Sequence, residues 1–189
     1  MPTARPDAPI PDRSSRLWTL GSAALCLLAL LLQLPLSLAL ALGAVGVVLG
    51  IASWWRPLPA WLRILLALAM LAAVLYATGL RFGRDTGCAL LAAMLALKPT
   101  ETQGLRDNRS LLGFAFFAPF AAFLLDQGPL TMTLGLFGLC AGLIALQRLA
   151  DVEARATADS PTVLPRLALV GRLVLIGLPL VLAAFWLFP

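Results

Sequence analysis

Histidine is absent from the 189 residues, and lysine occurs once, at Lys98. Without an imidazole the chain cannot assemble a Ser-His-Asp or Cys-His catalytic set, an HExxH zinc site or a His-ligated haem site. We therefore predict no catalytic, cofactor-binding or metal-binding residue in this sequence, and we expect the chain to be non-catalytic by itself.

Charged residues are also scarce, at 12% of the chain, whereas hydrophobic residues make up 61%. Soluble domains contain about 25% charged and about 45–50% apolar residues. A soluble core cannot cover this much apolar surface, which favours a lipid bilayer as the surrounding medium. The net charge of +5 comes from arginines between apolar runs, so we assign it to membrane orientation and expect no nucleic-acid partner.

Cysteine is limited to Cys26, Cys88 and Cys140, each inside an apolar run and none in a CxxC pattern. This placement is typical of small buried hydrophobic side chains. A disulfide framework is not indicated, because the cysteines show no regular spacing.

The N-terminal segment, residues 1–16, is polar and contains four prolines, which predicts a disordered cytoplasmic tail. The first apolar run begins at Leu17 and is followed almost at once by another, so an uncleaved signal anchor fits better than a cleaved signal peptide. Residues 17–189 are predicted to form one transmembrane helical domain.

Seven apolar segments predict an all-α, polytopic transmembrane helical bundle, because about 20 helical residues cross the hydrocarbon core. The predicted spans are 17–33, 36–53, 61–79, 84–98, 109–126, 129–147 and 167–188. The fourth is short, and both a full span and a re-entrant segment remain open for it.

The distribution of basic residues favours seven spans with the N-terminus inside. That arrangement places 12 of the 14 basic residues on the inner side and leaves only Arg81 and Arg84 outside. Omitting the fourth span changes the count to five inside and nine outside. We therefore predict a cytoplasmic N-terminus and a periplasmic C-terminus in a bacterial inner membrane.

Glycines repeat at helical spacing in the second span (Gly43, Gly46, Gly50) and in the sixth (Gly135, Gly138, Gly142). Such GxxxG faces let helix backbones approach closely in lipid. Packing within the bundle is the first interpretation, and a homo-oligomer through these faces is the second.

Charges cluster at both ends of the fourth segment. Arg84 and Asp85 are adjacent and are expected to point in different directions, with Asp85 favourable near a helix N-terminus. Lys98 and Glu101 are three residues apart and could pair if the helix continues past Pro99. Arg172, a few residues into the last span, is assigned to snorkelling towards the inner interface.

The stretch GRDTGCALLAAMLALKPTETQGLRD at 83–107 carries a family resemblance. Its G-R-D-x-G, L-K-x-x-E and R-D elements resemble those of the N-terminal membrane domain of TgpA-type bacterial transglutaminase-like proteins. The following FAFFAPFAAFLLDQGP run is also similar. The residues that this resemblance singles out for docking or structure are Gly83, Arg84, Asp85, Gly87, Lys98, Glu101, Arg106 and Asp107.

The resemblance implies a C-terminal extracytoplasmic transglutaminase-like domain, with a Cys-His-Asp type catalytic set, that lies outside this chain. The function it implies is membrane anchoring and orientation of that domain. The alternative is a free-standing small integral membrane protein, either a transporter subunit or a membrane scaffold. Proton-coupled transport usually needs an acidic residue or a histidine in the middle of a span. No predicted span carries one, which counts against the transporter interpretation.

Overall fold

A computed structural model describes residues 13–55, 58–81, 83–102, 104–153 and 163–187. These residues form seven α-helices and one short 3-10 helix, and the described ranges contain no β-strand. The helices are α1 (Arg13–Leu31), α2 (Leu36–Trp55), α3 (Ala60–Ala77), α4 (Arg84–Leu97), α5 (Leu105–Leu125), α6 (Pro129–Glu153) and α7 (Val163–Leu187), with the 3-10 helix (Lys98–Glu101) after α4. The predicted all-α class is confirmed, and each predicted apolar segment is a helix.

Five helices (α1, α2, α3, α5 and α6) are long and apolar enough to cross a membrane. The fourth, α4, has 14 residues and is about 21 Å long at ~1.5 Å per residue, shorter than a ~30 Å hydrocarbon core. The described apolar stretch of α7, Leu167–Leu180, is also shorter than a full span. The seven-span count therefore stays a prediction.

The centre of the bundle is formed by α1, α5 and α6, which make the most extensive mutual contacts. Small residues allow this close approach, since Ala115 and Ala118 of α5 and Ala145 of α6 are completely buried. Leu30 and Cys26 of α1 are buried between them. These buried side chains let the three helices approach closely and pack through van der Waals contacts at the centre of the bundle.

On one side of this centre, α4 packs against α2, α3 and α5 and joins the outer helices to the core. Its buried face is rich in alanine, including Ala89, Ala92 and Ala96. In contrast, α3 packs mainly on α4, and α7 packs mainly on α6. The bundle therefore has a dense centre and two peripheral helices.

The exterior of the bundle is apolar. Large hydrophobic side chains such as Leu36 of α2, Leu68 of α3 and Phe137 of α6 are at least 60% exposed. Soluble monomers rarely expose contiguous apolar patches beyond a few hundred Å². In a bilayer these side chains contact hydrocarbon instead of water. The apolar exterior therefore agrees with the lipid surroundings expected from composition.

Polar contacts between helices concentrate at the two ends of the bundle. At the end that contains the start of α1, Arg16 donates to the carbonyl oxygen of Ser53 at 2.5 Å, and Arg148 donates to the hydroxyl of Ser14 at 2.5 Å. At the opposite end, the Gln33 amide donates to the Thr131 hydroxyl at 2.7 Å. Buried faces between the ends are mainly apolar.

The start of α5 differs from the predicted span, which began at residue 109. The helix begins at Leu105 because the Asp107 carboxylate accepts a hydrogen bond from the Gly104 backbone N–H at 3.0 Å, as in one half of a capping box. A span that is identified by hydropathy alone misses this polar first turn.

Candidate functional site

The eight residues of the family motif lie at two separate places. Gly83, Arg84, Asp85 and Gly87 surround the start of α4, whereas Lys98, Glu101, Arg106 and Asp107 all lie after its end. The 14 residues of α4 separate these groups by about 20 Å at ~1.5 Å per residue. The motif therefore does not converge on one site.

At the start of α4, Gly83 is the N-cap residue and its backbone is extended. Arg84 Nε lies 3.5 Å from Asp85 Oδ1, and Arg84 also donates to the Leu124 carbonyl oxygen at 3.4 Å. The expectation that Arg84 and Asp85 point apart is wrong, because the long arginine side chain bends back to its neighbour. Both side chains are exposed, so this pair contributes little to stability.

Asp85 lies in the first turn of α4, where a negative charge is favourable with respect to the helix dipole. Gly87 also lies in this turn, and a Cβ at its position would meet open space. Nothing in the structure requires a glycine there. Arg84 connects the start of α4 to the last turn of α5 through its hydrogen bond to the Leu124 carbonyl oxygen.

After α4, the Lys98 ammonium donates to Glu101 Oε2 at 2.7 Å across the 3-10 helix. The predicted pairing is confirmed, although the helix type changes because Pro99 stands within the segment. The same ammonium lies 5.0 Å from the centroid of the Phe114 ring, within cation–π range. Only 22% of the Lys98 side chain is exposed.

Arg106 and Asp107 form the first turn of α5. Asp107 accepts the Gly104 backbone bond, whereas the Arg106 side chain is exposed. The neighbouring Asn108 is completely buried and donates to the Gly104 carbonyl oxygen at 2.9 Å. This part of the motif shapes the turn between the 3-10 helix and α5.

A pocket of about 160 Å³ opens beside Lys98. Its polar side chains come from two elements: Arg63 from α3, and Lys98, Thr100 and Glu101 from the 3-10 helix. Its apolar wall is formed by Ala67, Met94, Leu97 and Phe114. Sequence reasoning counted Arg63 only as an inner-side cation and did not connect it with the motif.

A second, larger cavity of about 500 Å³ lies between α1, α2 and α4 and is almost entirely apolar. The glycines of α2, Gly43, Gly46 and Gly50, line it. Glycines of both helices face side chains of the same chain: a Cβ at Gly46 would meet Ala96, one at Gly138 would meet Cys26 and one at Gly142 would meet Phe116. Packing within the bundle therefore accounts for these positions, and a homo-oligomer through the glycine faces stays a prediction.

Two interhelical clusters were not predicted. Asp126 Oδ2 accepts bonds from the Thr131 hydroxyl at 2.7 Å and from the Gly128 backbone N–H at 3.0 Å, which extends the Gln33–Thr131 contact. At the other end, Arg109 pairs with Glu153 through both terminal guanidinium nitrogens. Gln33 and Thr131 lie 98 residues apart in sequence, and Arg109 and Glu153 lie 44 apart, so no local pattern could reveal these two interhelical contacts.

The described residues contain no group of three or more His, Cys, Asp or Glu side chains that could hold a metal ion. Cys26 and Cys88 are buried, and the Cys88 thiol donates to the Ala121 carbonyl oxygen at 3.5 Å. Cys140 is half-buried. These thiols fill space between helices.

Span-length apolar helices, an apolar exterior and polar contacts at two opposite ends are the features of a helical membrane protein. Residues 18–189 match the family described as the TgpA N-terminal domain, and the chain belongs to that family. The resemblance noted at 83–107 is thereby confirmed.

Among known proteins, the chain is similar to a protein-glutamine gamma-glutamyltransferase of Pseudomonas aeruginosa. The two are 34% identical over 185 residues, which cover 94% of this chain and 26% of the relative. The chain thus spans about a quarter of that relative's length. No solved structure matches it.

Proposed function

We propose that this chain is the membrane-anchoring and orienting domain of a transglutaminase-like, cysteine-type enzyme of the bacterial inner membrane. The observation that carries the proposal is the 34% identity over 94% of the chain with one quarter of a protein-glutamine gamma-glutamyltransferase. The remaining three quarters of that relative supply the length for a catalytic domain. Covalent acyl transfer needs a thiolate beside a base, and this sequence contains no histidine.

The proposed topology has seven spans, a cytoplasmic N-terminus and a periplasmic C-terminus. The distribution of arginines supports this topology. Two contacts also support it: Arg16–Ser53 brings the start of α1 to the end of α2, and Gln33–Thr131 brings the end of α1 to the start of α6. In this arrangement α4 and the 3-10 helix together cross the membrane. At ~1.5 Å and ~2.0 Å per residue they reach about 29 Å.

The anchoring proposal is tested first at the gene. We expect the reading frame to continue past codon 189 into a region that encodes cysteine and histidine and then one further apolar span. Deletion of codons 1–189 from such a gene, in a version that also lacks the further apolar span, should move the catalytic region from the membrane fraction to the soluble fraction. A stop codon directly after Pro189 would contradict the proposal and favour a free-standing integral membrane protein.

The topology is tested with reporter fusions in the full-length chain. Alkaline phosphatase, which is active only in the periplasm, should be active when fused after Pro189 and inactive when fused after Glu153. Green fluorescent protein should show the reverse pattern. Phosphatase activity after Glu153 would contradict the proposed orientation.

A further inference from the structure

The pocket beside Lys98 has a charge that its own residues do not balance. Arg63 and Lys98 contribute two positive charges, and Glu101 contributes one negative charge, which pairs with Lys98. Arg63 Nε is buried, and no acceptor within the described ranges hydrogen-bonds to it. A buried donor without a partner is costly, so the pocket is complementary to a singly charged anion.

The walls of the pocket restrict what that anion can be attached to. Ala67, Met94, Leu97 and Phe114 provide an apolar lining directly beside the cations. Met94 is 55% exposed, so the pocket opens onto the apolar exterior of the bundle. A ligand with an anionic head and an apolar tail matches both the cations and the apolar wall, whereas a free aqueous ion matches only the cations.

The position of the pocket along the bundle agrees with this ligand. Arg63 is the fourth residue of α3, about 5 Å from its start at ~1.5 Å per residue. From there the α3 face continues through Ala67 to Leu71, which is 41% exposed. A head held at Arg63 would therefore leave an acyl chain lying along α3 towards the bilayer centre.

We propose that this pocket binds the phosphate of an anionic phospholipid, with Arg63 and Lys98 as its ligands. The volume of about 160 Å³ is close to that of a cavity known to admit a benzene-sized group, which suits a phosphate with its first glycerol atoms. Glu101 holds Lys98 in place and competes with the phosphate for its ammonium. In the proposed topology the lipid belongs to the cytoplasmic leaflet.

This inference rests on the membrane setting of the proposed function but not on its enzymatic part. It would hold equally for a free-standing membrane protein, and its failure would leave the anchoring proposal untouched.

The test measures phosphatidylglycerol retained by the detergent-solubilised full chain, by native mass spectrometry against phosphatidylcholine. Arg63→Gln and Lys98→Gln should each reduce phosphatidylglycerol retention about tenfold, the usual effect of one charge-assisted hydrogen bond. Glu101→Gln should increase it, because a competing carboxylate is lost. Arg106→Gln removes an equal charge outside the pocket and should leave retention unchanged.

Ala67→Trp fills the pocket without changing its charge. Ala67 is exposed, so the position tolerates a larger side chain. This variant should reduce phosphatidylglycerol retention at least as much as Arg63→Gln does, with an unchanged thermal unfolding midpoint. Equal retention by wild type, Arg63→Gln and Ala67→Trp would overturn the proposal, as would an equal loss in Arg106→Gln. Displacement of the lipid by millimolar inorganic phosphate would show a soluble-anion site and overturn the lipid assignment.

Discussion

Gly138 lies where α6 comes closest to the backbone of α1. A Cβ at this position would be 2.7 Å from Cys26 Sγ and 3.2 Å from the Cys26 backbone nitrogen. Backbone atoms cannot move aside as a side chain can, so the helices must separate. Gly138→Ala should therefore destabilise the bundle by about 1–3 kcal/mol, the usual cost of overpacking.

The matched control for this prediction is Gly50→Ala, because no atom outside its own helix lies within 4 Å of a Cβ at Gly50. Thermal unfolding in the same detergent should separate the two variants, with only Gly138→Ala lowering the midpoint. Similar midpoints for both would show that the α1–α6 approach does not limit stability.

The Gln33–Thr131–Asp126 chain of hydrogen bonds connects the end of α1 to the start of α6. Thr131 is 1% exposed, so Thr131→Val keeps its shape and removes its hydroxyl. We expect a loss of about 0.6–1.7 kcal/mol, the range for interhelical hydrogen bonds in membrane proteins. Unfolding free energies of Thr131→Val, Gln33→Leu and the double variant measure the coupling, and purely additive losses would contradict it.

At the residue scale, sequence alone identifies the Lys98–Glu101 pair, since its three-residue spacing is local. It cannot identify the contribution of Arg63, because that residue reaches the pair only after α3 has packed on α4. The Arg84–Asp85 pair was missed for a different reason. Helical geometry separates neighbouring Cβ atoms, but a long arginine side chain can bend back over that distance.

At the scale of elements, the position of α4 decides between a full span and a re-entrant segment. Asp85→Cys and Arg106→Cys, each in a chain whose native cysteines are alanine, test this with a membrane-impermeant thiol reagent. A full span predicts labelling of Asp85→Cys from the periplasmic side and of Arg106→Cys only from the cytoplasmic side. Labelling of both from one side would show that the segment is re-entrant.

Hydropathy predicts the existence of every α-helix because each apolar run is bounded by polar or proline-containing turns. It predicts helix ends less well. α5 starts at Leu105 and α6 continues to Glu153 because caps and ion pairs extend helices beyond the apolar zone. The 3-10 helix after α4 contains Pro99, and hydropathy does not predict that change of helix type.

At the scale of the whole molecule, α7 is peripheral. It packs mainly on α6, and most of its described side chains, such as Leu175 at 71%, are exposed. Deletion of residues 163–189 should therefore lower the thermal unfolding midpoint less than Gly138→Ala does in the full chain. A larger effect of the deletion would show that α7 supports the core.

The central role of α1 has a consequence for biosynthesis. Its main partners, α5 and α6, begin 74 or more residues after Leu31. At a bacterial synthesis rate of about 5–20 residues per second, α1 waits several seconds in the bilayer before α5 is complete. Thr19 and Ser22 donate to carbonyl oxygens of α1 itself, so during this interval their hydroxyls are already satisfied within the helix. The first helix can thus be inserted early and remain stable in lipid until the rest of its core has been translated.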